Sequence, residues 1–297
     1  VTQKKIFGCI EAGGTKFVLG LASAPDQIFA KAHIETTTPD ETIGRVITWL
    51  RAASEKYGQL SAIGIASFGP ADIHSDSASW GYITATPKKG WRNTDIAGAF
   101  VRAFSVPVGF DTDVNGAVLA ESRWGAGRGK PVSVYITVGT GIGGGIFANS
   151  RMIGGISHPE MGHMRLDRHP QDRNFDGICP FHGACLEGLA SGPAIMARWG
   201  KKLSDLPPDH EAHEIIAWYL AQCAVTLQAV LAPTCIIMGG GVMQTEGLLD
   251  RVRDQADMLG GGYFAGDART MIVRPGLGEL SGLLGGLALA QDALEAL

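Results

Sequence analysis

Three of the protein's eight histidines and two of its five cysteines fall within residues 162–185, GHMRLDRHPQDRNFDGICPFHGAC. A disulfide, a metal cage and chance clustering all fit these residue types. Two further stretches carry chemistry. EAGGTK (11–16) and GTGIGGG (139–145) each read as a glycine turn between two β-strands. That placement excludes a P-loop or dinucleotide fingerprint, both of which need a helix directly after the turn. A glycine turn between strands can still aim several backbone N–H groups at one anion, with Thr15 and Thr140 adding hydroxyls. Either turn alone reads as a tight hairpin without a ligand. Two of them, with a third cluster MGGG (238–241) ending a strand, point to a nucleotide. In DTDVNGA (111–117), Asp113 falls where a strand hands over to a helix. It is either a plain helix N-cap or the carboxylate that takes a hydroxyl proton in phosphoryl transfer, kept ionised by the helix dipole.

The elements that must position these groups follow from periodicity and punctuation. Strands are expected at 6–10, 17–21, 28–36, 62–69, 106–113 and 132–148, the last with its own glycine turn, so that the β–turn–β pattern of 6–21 occurs twice. A helix is expected over 39–57, with Thr38 as N-cap, Pro39 at the first helical position, Glu41 closing a capping box and Gly58 beyond its end. Further helices are expected near 187–200, 211–231, 245–258 and 281–296. Hairpins mixed with crossover helices make an α/β protein. The domain boundary is expected near residue 115. The long stretch 70–92 carries Trp80, Tyr82 and Trp91, which predict an ordered loop.

Composition sets bounds. The chain has 297 residues, 45% hydrophobic and 18% charged, enough for two domains with their own cores. A net charge of −4 without a basic block argues against nucleic acid. The lack of a long uncharged apolar run argues against a membrane span. Five scattered cysteines and the absence of a signal peptide predict the cytoplasm. Cys9, Cys223 and Cys235 lie in apolar runs and read as inert core thiols. His33, His74, His210 and His213 read as surface residues, and His169 as a solvated loop residue.

In order along the chain, EAGGTKF, ASFGP, GYITATPKKGW, DTDVNGA, VGTGIGGG, HPEMGH, CPFHGACLEGLASGPA and IIMGGGV resemble the ROK family of sugar kinases, most closely its bacterial zinc-containing fructokinases. The resemblance covers nearly the whole chain. It implies the actin/hexokinase-type, ribonuclease H-like fold, two α/β lobes around a cleft. The expected lobes are 1–115, completed by the C-terminal helix 281–297, and 116–280 with a zinc-binding loop at 158–187. The implied activity is ATP- and Mg²⁺-dependent phosphorylation of a hexose at its 6-hydroxyl, with fructose the expected substrate. Asp113 becomes the general base. Glu160, His163, Glu187 and Thr112 fall at sugar-binding positions. Gly13, Gly14, Thr15, Gly139, Thr140, Gly141, Gly143 and Gly144 fall at the ATP phosphates, and Gly239, Gly240 and Gly241 near the adenosine. Glu11 stands where most of the family has Asp, which lengthens any reach toward Mg²⁺. Thr112 replaces an Asn that often touches sugar.

The resemblance also bears on the first stretch. Cys179, His182 and Cys185, evenly spaced by three, join His163 in a two-nitrogen, two-thiolate set suited to a closed tetrahedral Zn²⁺ site. Such a site has no open position for a nucleophilic water. Its expected task is to tie the loop bearing Glu187 to the segment bearing Glu160, so that chelation loosens the sugar pocket. His163 is expected to serve both zinc and sugar, while His158 is given no ligand role. The expected partners are a hexose and a nucleotide, and the resemblance implies a homodimer. The alternatives are glucose, mannose or N-acetylmannosamine as acceptor, and a non-catalytic sugar sensor. A sugar-responsive repressor would need an N-terminal helix-turn-helix, yet the first strand is expected within about six residues.

Overall fold

The computed structural model describes residues 5–296, so residues 1–4 of the first expected lobe and Leu297 of the expected last helix lie outside it. The chain divides into two compact units. The first runs to Trp124, takes back Gly154–His158 and is completed by the chain from Glu279 onward; the second holds Gly125–Ile153 and Pro159–Gly278. A boundary at 115 would have cut a continuous helix three residues into its length. The division follows that helix instead.

In the first unit, β1 (Phe7–Ala12) and β2 (Lys16–Ala24) pair antiparallel with Ala12 opposite Phe17. β3 (Gln27–Glu35) continues the meander as far as Glu35 opposite Lys16, beside the glycine turn. α1 (Pro39–Tyr57) crosses to β4 (Ala62–Ser67), which lies parallel to β1. A short hairpin of β5 (Tyr82–Ile83) and β6 (Thr94–Asp95) precedes α2 (Ile96–Phe104). Then β7 (Val108–Thr112) pairs parallel with β4 and runs into α3 (Asp113–Trp124). β1 and β4 are buried almost throughout because both faces are covered. Gly8 faces Leu50 of α1, whereas Gly64, of opposite parity, abuts the backbone of the chain's last helix at Gly286.

The second unit repeats this plan. β8 (Val132–Val138) and β9 (Ile142–Ala148) form an antiparallel hairpin, and β10 (Arg151–Met152) adds to the outer edge of β9. α4 (Leu186–Ala190), α5 (Gly192–Trp199) and α6 (Ala212–Leu231) lead to β11 (Cys235–Gly239), parallel to β8. α7 (Leu248–Gly260) and α8 (Ala268–Met271) lead to β12 (Ile272–Val273), parallel to β11. α9 (Ser281–Glu295) then returns to the first unit. The sheet orders β3-β2-β1-β4-β7 and β10-β9-β8-β11-β12 match in connectivity and polarity. The duplication seen in two hairpins therefore extends to two whole sheets.

Some local expectations give way. Thr38 makes no capping bond; Thr37 instead donates its hydroxyl to Glu41 at 2.6 Å, and the Thr37 N–H is taken by the Thr42 hydroxyl at 2.9 Å. The helix expected at 187–200 is broken at Ser191, whose Oγ accepts the Ala194 N–H and starts α5 afresh. Trp91 is fully buried, its Nε1–H donated to the Thr37 carbonyl at 2.8 Å, so the aromatic loop is anchored in the first unit's core. His213, expected at the surface, is buried on α6. α6 is, among the described residues, the one helix long and apolar enough to cross a membrane; Tyr219, Leu220 and Leu227 place its inner face in the second unit's core.

Candidate active site and metal centre

In the first unit the turn after β1 is closed by the Gly13 N–H donating to the Lys16 carbonyl at 3.1 Å. Thr36, just past β3, clamps it from the side. Its hydroxyl donates to the Gly13 carbonyl at 2.7 Å, and its N–H donates to the Thr15 carbonyl at 2.9 Å. The N–H groups of Gly14 and Thr15 find no acceptor among the described residues, and both residues are exposed. A clamped turn with two free, solvent-facing N–H groups is what an anion nest requires.

Asp113 is the first residue of α3, and Thr112 takes the cap: its Oγ accepts the Asn115 N–H at 3.2 Å. The plain N-cap reading of Asp113 is thereby withdrawn. Thr112, expected to touch sugar, is 2% exposed and committed to this bond; a short hydroxyl at a cap position turns into the helix end rather than outward. Two residues missed from the sequence fix the start of α3. Asp111 accepts from Asn115 Nδ2 and from the Thr112 N–H, both at 2.7 Å. Burial raises the Asp111 carboxyl above its usual range, opposed by these bonds and by His158. Asp111 is still in β7 and Asn115 in the first turn of α3, so the pair forms across the strand–helix junction and no helical spacing announces it. His158 is itself buried, and its Nε2 lies 3.4 Å from the Ala71 nitrogen.

Glu11 ends its strand close enough to Asp113 for each to feel the other's charge. Burial first, and Asp113 second, push Glu11 up to about 7 against the pull of Lys16. Its carboxylate occupies the space a side chain at 282 would need: a Cβ there would lie 2.2 Å from Glu11 Cδ. Gly282 is what lets a glutamate stand in place of the shorter aspartate. Two neighbouring, half-buried carboxylates that repel one another suit a hard divalent cation with oxygen ligands.

In the second unit the turn 139–141 is closed by the Gly139 N–H on the Gly141 carbonyl at 2.9 Å. The N–H groups of Thr140 and Gly141 have no acceptor among the described residues. Gly143 and Gly144 lie in β9, where Gly144 makes room for Met161. Glu187, expected to bind sugar, accepts the Ile142 N–H on Oε2 at 2.9 Å. Gly239 and Gly240, expected near adenosine, are explained by packing: side chains there would strike the Tyr135 hydroxyl and the Val138 backbone. Gly241 faces open space.

Glu160 precedes a one-turn 3₁₀ helix, Met161–His163, and is exposed. The four soft ligands converge. His163 Nδ1 lies 3.7 Å from Cys179 Sγ and 3.5 Å from Cys185 Sγ, His182 Nδ1 lies 3.7 Å from Cys179 Sγ, and all four atoms fall within 4.8 Å of one another. A tetrahedral zinc with Zn–S of about 2.3 Å and Zn–N of about 2.0 Å sets S···N edges of about 3.5 Å, so the donor set fits that ion. Both cysteines are free thiols, which sets the disulfide aside. Mutual hydrogen bonds between Cys179 and Gly183 form the knuckle, with Gly183 at φ +57°. His169 is half-buried in its loop, edge-on against Trp218, with its Nδ1 accepting the Gln171 N–H. Cys9 and Cys223 are buried thiols, and burial pushes Cys223 up to about 12.

A model of the ROK family matches residues 7–293. The chain belongs to the ROK family. Within it, a fructokinase from Zymomonas mobilis subsp. mobilis is 51% identical over 98% of each chain. Among solved structures, the ROK hexokinase from Thermus thermophilus superposes with a TM-score of 0.79 at 24% identity, covering 98% of this chain and 99% of that one. A ROK family glucokinase from Streptomyces griseus, in complex with glucose and AMPPNP, gives 0.75 at 24% identity over 97% and 99% of the two chains. This ROK chain has the actin/hexokinase-type fold.

Proposed function

We infer that this chain is an ATP-dependent hexose kinase that converts fructose to fructose 6-phosphate. The observation that carries the inference is the 51% identity to a fructokinase along 98% of both chains. The geometry supplies the parts that phosphoryl transfer to an alcohol needs, which are positioning, charge neutralisation and a proton acceptor. In this reading Asp113 accepts the proton of the sugar's 6-hydroxyl, its place at the head of α3 set by the Thr112 cap and the Asp111–Asn115 pair. The free N–H groups of Gly14, Thr15, Thr140 and Gly141 bind phosphate oxygens. Gly241, facing open space, remains the candidate beside adenosine.

Glu11, beside Asp113, would help to hold Mg²⁺, which when bound neutralises phosphate charge. His163, Cys179, His182 and Cys185 would hold Zn²⁺, a closed set with a structural task. With Nδ1 of His163 turned to both sulfurs, its Nε2 remains for a sugar hydroxyl beside Glu160. A homodimer remains part of the proposal. The test is ADP release over fructose, glucose, mannose and N-acetylmannosamine. Fructose with the highest kcat/KM supports the reading; preference for another hexose reassigns the acceptor, and no sugar-dependent ADP release refutes the kinase.

A further inference from the structure

The two turns are supported differently. β3 reaches the first turn and delivers Thr36 to it. The corresponding strand of the second unit, β10, has two residues and pairs only with Phe147 and Ala148, at the far end of β9. Among the described residues, no third strand stands beside 139–141. Instead both flanks of the turn are bolted to one segment: Gly192 donates its N–H to the Gly139 carbonyl at 2.8 Å, and Glu187 Oε2 accepts the Ile142 N–H at 2.9 Å. The fit around this carboxylate is close, since a Cβ on Gly141 would lie 2.7 Å from Oε2. The segment starts at Cys185 of the metal cage. Gly162, the neighbour of His163, also packs against Ile142: a Cβ there would lie 1.8 Å from the Ile142 carbonyl oxygen.

We propose that Glu187 is a positioning residue for the nucleotide, its carboxylate fixing the 139–142 turn so that the Thr140 and Gly141 N–H groups face the ATP phosphates. The proposal rests on the reading of that turn as a phosphate cradle. The cage then serves the nucleotide through Glu187, besides any service to the sugar. An ionised acceptor holds a backbone N–H more strongly than a neutral one, and a pinned turn binds its anion without first being ordered.

The test compares Glu187→Gln, which keeps an acceptor oxygen, with Glu187→Met, which keeps the length and loses it. In the full-length protein, amide exchange at Ile142 should quicken about tenfold or more in Glu187→Met, which loses the hydrogen bond, and only about two- to threefold in Glu187→Gln, which keeps a neutral acceptor. Unchanged exchange in β11 serves as the control for folding. Affinity for Mg²⁺·AMPPNP should fall about tenfold in Glu187→Met and within about twofold in Glu187→Gln. Two results overturn the proposal: Ile142 exchange or AMPPNP affinity unchanged in Glu187→Met, or both variants raising the fructose KM with AMPPNP affinity intact. A wild-type protein that binds no AMPPNP refutes the kinase reading instead, and Ile142 exchange still reports whether Glu187 holds the turn.

Discussion

The two sheets share order and polarity, yet the turns at their hairpin ends are held by different means. In the first unit a nine-residue edge strand brings Thr36 against Gly13 and Thr15. In the second the edge strand is two residues long, and Glu187 and Gly192, downstream of the cage, do the same work. The flanks of such a turn can be fixed by a strand or by a loop that carries four soft ligands. The soft ligands lie in the second unit alone, whereas carboxylates occur in both: Glu11, Asp111 and Asp113 in the first, Glu160 and Glu187 in the second.

That asymmetry can be broken experimentally from either side. The largest effect is expected from Asp113→Asn, which removes the proposed proton acceptor and should lower kcat by about 10²–10⁴-fold, the usual worth of a general base. Steady-state kinetics with a matched melting curve checks it. Next comes chelation of the proposed zinc, or Cys185→Ser. Amide exchange over 139–142 and 177–188 should quicken while the 13–15 turn keeps its wild-type protection, because Thr36 owes nothing to the cage. Equal loosening of both turns would erase the distinction drawn here. Thr36→Val is the mirror experiment. It removes one hydrogen bond, worth about 1 kcal/mol, and should expose the 13–15 turn alone to faster exchange.

The smallest effect concerns Glu11. Its carboxyl titrates near 4.5 when unfolded and about 7 in the fold, so the native state binds more protons between those values. Stability is therefore greatest below about pH 4.5 as far as this group is concerned, and is lost as pH rises through 7. Glu11→Gln should flatten the pH 5–8 part of the melting-temperature profile of the Mg²⁺-free protein. Gly282→Ala should be destabilising alone and partly rescued by Glu11→Asp, which withdraws the carboxylate from that space.

Much of this was legible in the sequence because it was local. Glycine turns between apolar strands, the Cys-x-x-His-x-x-Cys spacing and Asp113 at a strand–helix junction each carry their signal within a few residues. The supports were not legible for the same reason. Thr36 acts across 23 residues and Glu187 across 45, and neither distance leaves a periodic trace. Thr112 was misread because a hydroxyl before a helix serves as a cap or as a ligand with the same spelling. At Gly239 and Gly240 close packing and ligand approach select the same residue, so the sequence does not separate the two reasons.

The central claim is transfer of the ATP γ-phosphate to fructose with Asp113 as proton acceptor. Phosphorus NMR of fructose, ATP and Mg²⁺ with the wild-type protein tests it most directly. The expected spectrum shows fructose 6-phosphate growing in step with ADP, and none with Asp113→Asn on the same timescale. ADP accompanied only by inorganic phosphate, or an Asp113→Asn protein as fast as wild type, would contradict the account.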